Sequence, residues 1–132
     1  MAAGGARIAI SGASGLVGRR LRAALEGDGH TVLRLVRREP ARRGEVLWDP
    51  ASGRLDPAAL EGIDAFVHLS GESIASGRWS PARKREIVES RTVTTRLVAS
   101  ALARLASKPV LVSASAIGYY GDRGGEWLDE TS

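Results

Sequence analysis

The 132-residue chain has no cysteine, which excludes disulfides and thiolate-bound metal alike. Lysine is almost missing too: Lys84 and Lys108 stand against seventeen arginines. Aromatic residues make up only 5% of the chain. Neither stacking platforms nor a reading motif for nucleic acid can be made out among them. No apolar run approaches the ~20 residues that cross a bilayer. The opening Met1-Ala2-Ala3-Gly4-Gly5-Ala6-Arg7 lacks the basic-then-apolar layout of a secretory signal. Together these absences lead us to expect a cytoplasmic protein with no membrane partner and no metal.

The remaining composition, 43% hydrophobic and 26% charged, is that of a globular domain. By length residues 1–132 make one domain, small for a complete two-domain enzyme. The net charge of +4 and a pI near 10.3 raise the question of nucleic acid. The arginines, however, are spread along the chain, with one local cluster from Arg34 to Arg43. A solvated arginine-rich surface is the favoured reading. An arginine-driven nucleic-acid binder would need those residues on one face and an affinity that falls steeply with salt.

Apolar patterning predicts alternating strands and helices. Residues 6–11 read as a buried strand, and 15–27 as a helix with Leu16, Val17, Leu21 and Leu25 on one stripe. Gly27-Asp28-Gly29-His30 ends that helix, and Thr31–Val36 is a second strand. Glu45–Trp48 is a third strand, Pro57–Leu60 a helical turn and Ala65–Leu69 a fourth strand. A glycine- and serine-rich loop, 70–80, leads to Ser80-Pro81, which opens the longest helix with serine at the N-cap and proline at N1. Val98, Ala101, Leu102 and Leu105 form its inner stripe. Pro109–Ser113 is a fifth strand, and 116–132 reads as loop. This alternation predicts an α/β fold: a doubly wound, mostly parallel sheet of Rossmann type, strand order 3-2-1-4-5, with helices on both faces.

The first strand runs into Ser11-Gly12-Ala13-Ser14-Gly15-Leu16-Val17-Gly18, a G-x-x-G-x-x-G turn opening directly into the helix. A glycine turn in that position lets backbone approach a pyrophosphate while helix-N-terminal amides face its charge. The dinucleotide set at the turn is therefore Gly12, Ser14, Gly15, Leu16, Val17 and Gly18; a tight turn without ligand is the alternative. The end of the second strand selects the cofactor. An acidic residue there suits the ribose 2′-hydroxyl of NAD, an arginine the 2′-phosphate of NADP. Here Val36-Arg37-Arg38 precedes Glu39, so Arg37 and Arg38 favour NADP(H) over NAD(H).

With these residues in view, the chain resembles the extended, epimerase-like branch of the short-chain dehydrogenase/reductase superfamily. More narrowly, it is similar to atypical family members regarded as NADP-dependent nucleotide-sugar epimerases. The matching strings are the glycine turn, Asp64–Glu72, Arg78-Trp79-Ser80, Glu86–Arg91 and Ser113–Gly121, spread over nearly the whole chain. The resemblance implies that Leu69, Ser70 and Gly71 line the cofactor, and that Glu86 and Arg91 form a pair near it. Arg91 stands roughly where many extended members carry an asparagine. Ser115 matches the residue that hydrogen-bonds a substrate oxygen beside the nicotinamide, and Tyr119 a loop aromatic, making these two the catalytic candidates. Packing is the alternative reading for Tyr119 and Tyr120, and His68, inside the fourth strand, reads as a core histidine.

The superfamily's Tyr-x-x-x-Lys acid–base pair is not found here, because neither Tyr119 nor Tyr120 has a lysine four residues on. The expected function is thus NADP(H) binding within an epimerase- or reductase-like protein acting on a sugar-nucleotide-like or small carbonyl substrate. The chain reads as the N-terminal Rossmann portion, without a C-terminal substrate domain and inactive as it stands. A non-enzymatic NADP(H)-sensing module is the alternative. An uncovered sheet edge and apolar faces would favour self-association. Sedimentation velocity is expected to show dimers or larger species, and a clean monomer contradicts this.

Overall fold

A computed structural model of the chain describes residues 4–132. Six strands form one sheet: β1 (Arg7–Ser11), β2 (Thr31–Val36), β3 (Glu45–Asp49), β4 (Arg54–Leu55), β5 (Ala65–His68) and β6 (Val110–Ser113). Two helices pack on it, α1 (Leu16–Gly27) and α2 (Pro81–Ala103). The sheet order is β4-β3-β2-β1-β5-β6. Its five parallel strands follow the order read from sequence. The sixth strand, β4, was not anticipated; it pairs antiparallel with β3 through Trp48↔Leu55 and Asp49↔Arg54. A two-residue strand inside Ser52-Gly53-Arg54-Leu55 carries too short a pattern to be separated from a turn by periodicity. A 3-10 turn, Ile117–Tyr120, likewise interrupts the stretch read as loop.

Alternation along the strands sorts side chains to two cores. Ala9, Leu33, Leu35, Val46, Trp48 and Phe66 face α2, packing on its Val98, Ala101 and Leu102. Leu105 joins this core from beyond the helix end, in the turn that follows Ala103. Ile8 and Ile10 point the opposite way, to Leu21 and Leu25 of α1. Helices therefore cover both faces, as parallel strands buried on two sides require. Ser80 Oγ caps α2 by accepting the Arg83 amide at 3.1 Å, with Pro81 at N1. The last strand differs from its neighbours: all four residues of β6 are exposed, Val110 by 64%.

The central strand β1 pairs with β2 on one side and β5 on the other. The chain winds outward in opposite directions from that seam, so β1 and β5 flank the crevice where doubly wound sheets hold ligands. The glycine turn sits at its mouth. Gly12 has φ +73°, and a Cβ there would lie 2.9 Å from the Leu69 carbonyl carbon. Gly18 is buried in the first turn of α1, where a Cβ would meet the Gly12 carbonyl oxygen at 2.1 Å. The third glycine thus lets the helix close onto the turn. Gly18→Ala is expected to lower stability by about 2–4 kcal/mol through overpacking against backbone. Gly27→Ala, at the helix end with nothing within 4 Å of the added carbon, is expected to be neutral or slightly stabilising. Thermal melts of both variants check the contrast, and equal melting temperatures contradict it.

Candidate functional site

A cavity of about 920 Å³ opens at the carboxyl ends of β1, β2 and β5. Its floor is the glycine turn: Gly12, Ala13, Ser14 and Gly15 all line it. The Gly15 amide donates to the Gly12 carbonyl at 3.0 Å, folding the turn, and no side chain caps α1. Among the described residues the amides of Leu16, Val17 and Gly18 have no acceptor, as expected of a first helical turn. The helix dipole adds positive potential at the same point.

A second wall follows β2. Arg34, Arg37, Arg38 and Glu45 line it, and Arg19 and Arg22 approach from α1. Glu45 holds two of these arginines. Arg38 donates to its two oxygens at 2.8 and 2.7 Å, and Arg34 donates to one of them at 3.0 Å. The Ala41 amide adds a further donor at 2.8 Å. The Arg38 fork first, then this amide, hold the Glu45 carboxyl down at about 2, against the opposing effect of burial. Arg38, expected from sequence as a phosphate ligand, is therefore already occupied by a carboxylate. Among the described residues Arg37 and Arg19 make no side-chain hydrogen bond or ion pair, which leaves their guanidiniums available.

The opposite wall comes from the loop after β5 and from α2. Leu69, Ser70, Gly71, Glu72, Glu86, Glu89, Ser90 and Thr94 line it. Two arginines fasten the loop to the helix. Arg83 donates to Glu86 at 2.7 Å, to the Ser73 carbonyl at 2.8 Å and to Ser76 Oγ at 2.6 Å. Arg91 donates to the Glu72 carbonyl at 3.1 Å, its guanidinium lying against Gly71. Among the described residues, no group of three or more acidic or histidine side chains is gathered to hold a metal ion.

The sequence-derived site residues fall into two sets. Gly12, Ser14, Gly15, Arg37, Arg38, Leu69, Ser70, Gly71 and Glu86 share the cavity. Several others do not line it. The side chains of Leu16 and Val17 point to solvent, 75% and 62% exposed, so these residues face the floor only through their amides. Gly18 is consumed by helix packing. Arg91, expected to pair with Glu86 near the cofactor, is instead a clasp on the loop. Ser115 and Tyr119 lie with Ala116 and Tyr120 in a separate shallow depression of about 440 Å³.

Arg19, Ser90 and Thr94 line the cavity without having been singled out from sequence. A signal existed for the last two: positions 90, 94, 98 and 101 repeat at helical spacing along the stripe that buries Val98 and Ala101. A polar pair continuing an apolar stripe marks the point where a helix leaves the core and reaches a cavity.

The sequence pattern of the NAD dependent epimerase/dehydratase family matches residues 8–132. The chain belongs to that family. An epimerase family protein of Mycobacterium bovis is 47% identical over 93% of this chain, which spans 40% of that relative's length. A nucleoside-diphosphate sugar epimerase from Corynebacterium glutamicum superposes with a TM-score of 0.74 at 40% identity, covering 93% of this chain and 25% of that one. The human epimerase family protein SDR39U1, solved with NADPH, gives a TM-score of 0.69 at 32% identity, over 86% of this chain and 38% of that one. A short-chain dehydrogenase/reductase superfamily protein from Agrobacterium tumefaciens with bound NAD gives 0.65 at 29% identity, over 92% and 36%. The chain thus spans about two-fifths of the curated relatives it matches, and the fold is the Rossmann-like one of these epimerases.

The Glu45 cluster yields a pH prediction. A carboxyl held at about 2 in the folded state, against an ordinary ~4.3, adds stability above the ordinary value and loses it as pH falls through the folded one. Glu45→Gln is therefore expected to flatten the acid limb of the melting-temperature profile between those two values. A variant profile parallel to the parent's over this range contradicts the assignment.

Proposed function

We propose that residues 1–132 are the NADP(H)-binding portion of an epimerase- or reductase-like member of this family. The observation that carries the reading is the uncapped glycine turn, open to a cavity whose basic wall retains Arg37, unpaired among the described residues. The backbone amides from Ser14 to Val17 would hold the pyrophosphate, with Gly15 admitting it closely. Leu69, Ser70 and Gly71 would border the ribose on the other side. Arg37 would take the 2′-phosphate, with Arg19 as its partner across the cavity and Arg38 acting only to brace the wall through Glu45. The human relative solved with NADPH supports a phosphorylated cofactor, and the Agrobacterium protein with bound NAD makes the unphosphorylated one the competitor to test.

A bound nicotinamide supplies hydride exchange with a carbinol or carbonyl carbon. In the whole protein the substrate would be sugar-nucleotide-like or a small carbonyl compound, in keeping with the sugar epimerase from Corynebacterium glutamicum. Ser115, just past β6, would orient the substrate oxygen by hydrogen bonding, and Tyr119 would border it. Neither tyrosine here has a lysine four residues on to lower its pKa. The 132-residue chain by itself is therefore expected to bind cofactor without turning substrate over.

Isothermal titration tests this. NADPH is expected to bind more tightly than NADH, and Arg37→Ala to reduce that preference by about tenfold, the scale of a charge-assisted contact. Arg38→Ala is expected to leave the preference unchanged while lowering thermal stability. Tighter binding of NADH by the parent chain overturns the choice of NADP(H), and absence of heat with either cofactor overturns the reading as a whole.

A further inference from the structure

The α2-facing core contains one fully formed polar relay. His68 is 3% exposed, Ser11 0% and Thr94 7%. His68 Nδ1 lies 2.6 Å from Ser11 Oγ, and its Nε2 lies 3.1 Å from Thr94 Oγ1. The direction of each bond follows from counting protons. Thr94 Oγ1 has a single proton, which it donates to the Ser90 carbonyl at 2.6 Å. Towards His68 it can only accept, so Nε2 carries the ring proton. Burial of the ring among Phe66, Trp48 and the sheet favours the neutral imidazole. With Nε2 holding the one ring proton, Nδ1 is bare and Ser11 Oγ–H donates to it.

One end of this relay lies on the cavity and the other adjoins its floor. Ser11 immediately precedes Gly12, and its carbonyl accepts the Leu69 amide at 3.1 Å. Thr94 lines the α2 wall. One turn earlier, Ser90 Oγ accepts the Glu72 amide at 3.0 Å and so holds the loop that follows His68. Ser11 and His68 do not line the cavity themselves. An apolar trio would fill the same space without the cost of burying polar groups, whereas a satisfied network holds one geometry.

We propose that His68, as the neutral Nε2–H imidazole, is a positioning residue: by bridging Ser11 to Thr94 it sets the glycine turn against the α2 wall and so determines the geometry in which the dinucleotide is held. The proposal rests on the cofactor reading above, and its test separates the two. Two-bond ¹H–¹⁵N NMR of the full chain at neutral pH is expected to show His68 protonated on Nε2; protonation on Nδ1 overturns the proposal. Ser11→Ala removes one buried hydroxyl with no added volume, and His68→Gln serves as the second variant if the first is poorly folded. In either, backbone amide shifts are expected to move at both Gly12–Gly15 and Thr94, which lie on opposite sides of the ring. Shifts confined to β1 and its turn overturn the bridge. NADPH titration, at a temperature where parent and variant are both fully folded, is expected to show affinity about fivefold weaker, the scale of one buried hydrogen bond. Affinity within twofold of the parent overturns the positioning role. If the parent itself binds no NADPH, the cofactor reading fails, and the amide shifts still decide the bridge.

Discussion

The structure depends on how closely α1 approaches the end of β1. At Gly18 the helix backbone comes so near the Gly12 carbonyl that a single carbon would collide with it. Gly12 in turn presses on Leu69 at the end of β5. These two contacts fix the distance between the first helix, the central strand and the neighbouring strand. With that distance set, the free amides of the helix open onto the crevice between β1 and β5, and the cavity has its floor. A side chain at either glycine would separate the layers and tilt the amides away.

Charge is then distributed around that floor in zones. Arginines from α1 and β2 occupy one wall, while Glu72, Glu86 and Glu89 stand on the other. The basic wall is not simply an accumulation of positive charge. Glu45, fully removed from solvent at its side chain, locks Arg34 and Arg38 and leaves Arg37 as a cation with no partner of its own among the described residues. Holding two arginines on one carboxylate fixes their side chains and stiffens the segment that presents the third. On the far side, Arg83 and Arg91 turn a glycine- and serine-rich loop into a fastened wall, using carbonyl groups the loop cannot satisfy internally.

Much of this was legible beforehand because it follows from local constraints. The strand–glycine–helix junction, the capped start of α2 and the order of the five parallel strands each come from patterns a few residues long. Gly12, Ser14, Gly15 and the loop 69–71 all line one cavity. Elsewhere the reading stopped at residue type. An arginine after β2 announces phosphate chemistry, but two adjacent arginines look alike until Glu45, seven residues past Arg38, takes one of them. Arg91 also has the chemistry of a ligand contact, yet its donors are spent on backbone carbonyls. Leu16 and Val17 belong to the motif through their amides, while their side chains turn to solvent because that face of α1 lies away from the sheet. β4 escaped notice because two residues paired across a turn have no periodicity to detect.

By itself, the sequence determined the class of fold, the position of the glycine turn and the presence of basic residues beside it. Steric demands on glycine and the two-residue alternation of strands act locally and leave few alternatives. Tertiary structure alone decided which cations remain unpaired, which polar side chains face the cavity and which way the His68 proton points. Those outcomes depend on partners distant in the chain: Ser11 with His68 across 57 positions, His68 with Thr94 across 26. A hydrogen bond between groups that can each donate or accept has no direction until every neighbour is in place, and only the folded chain puts them there.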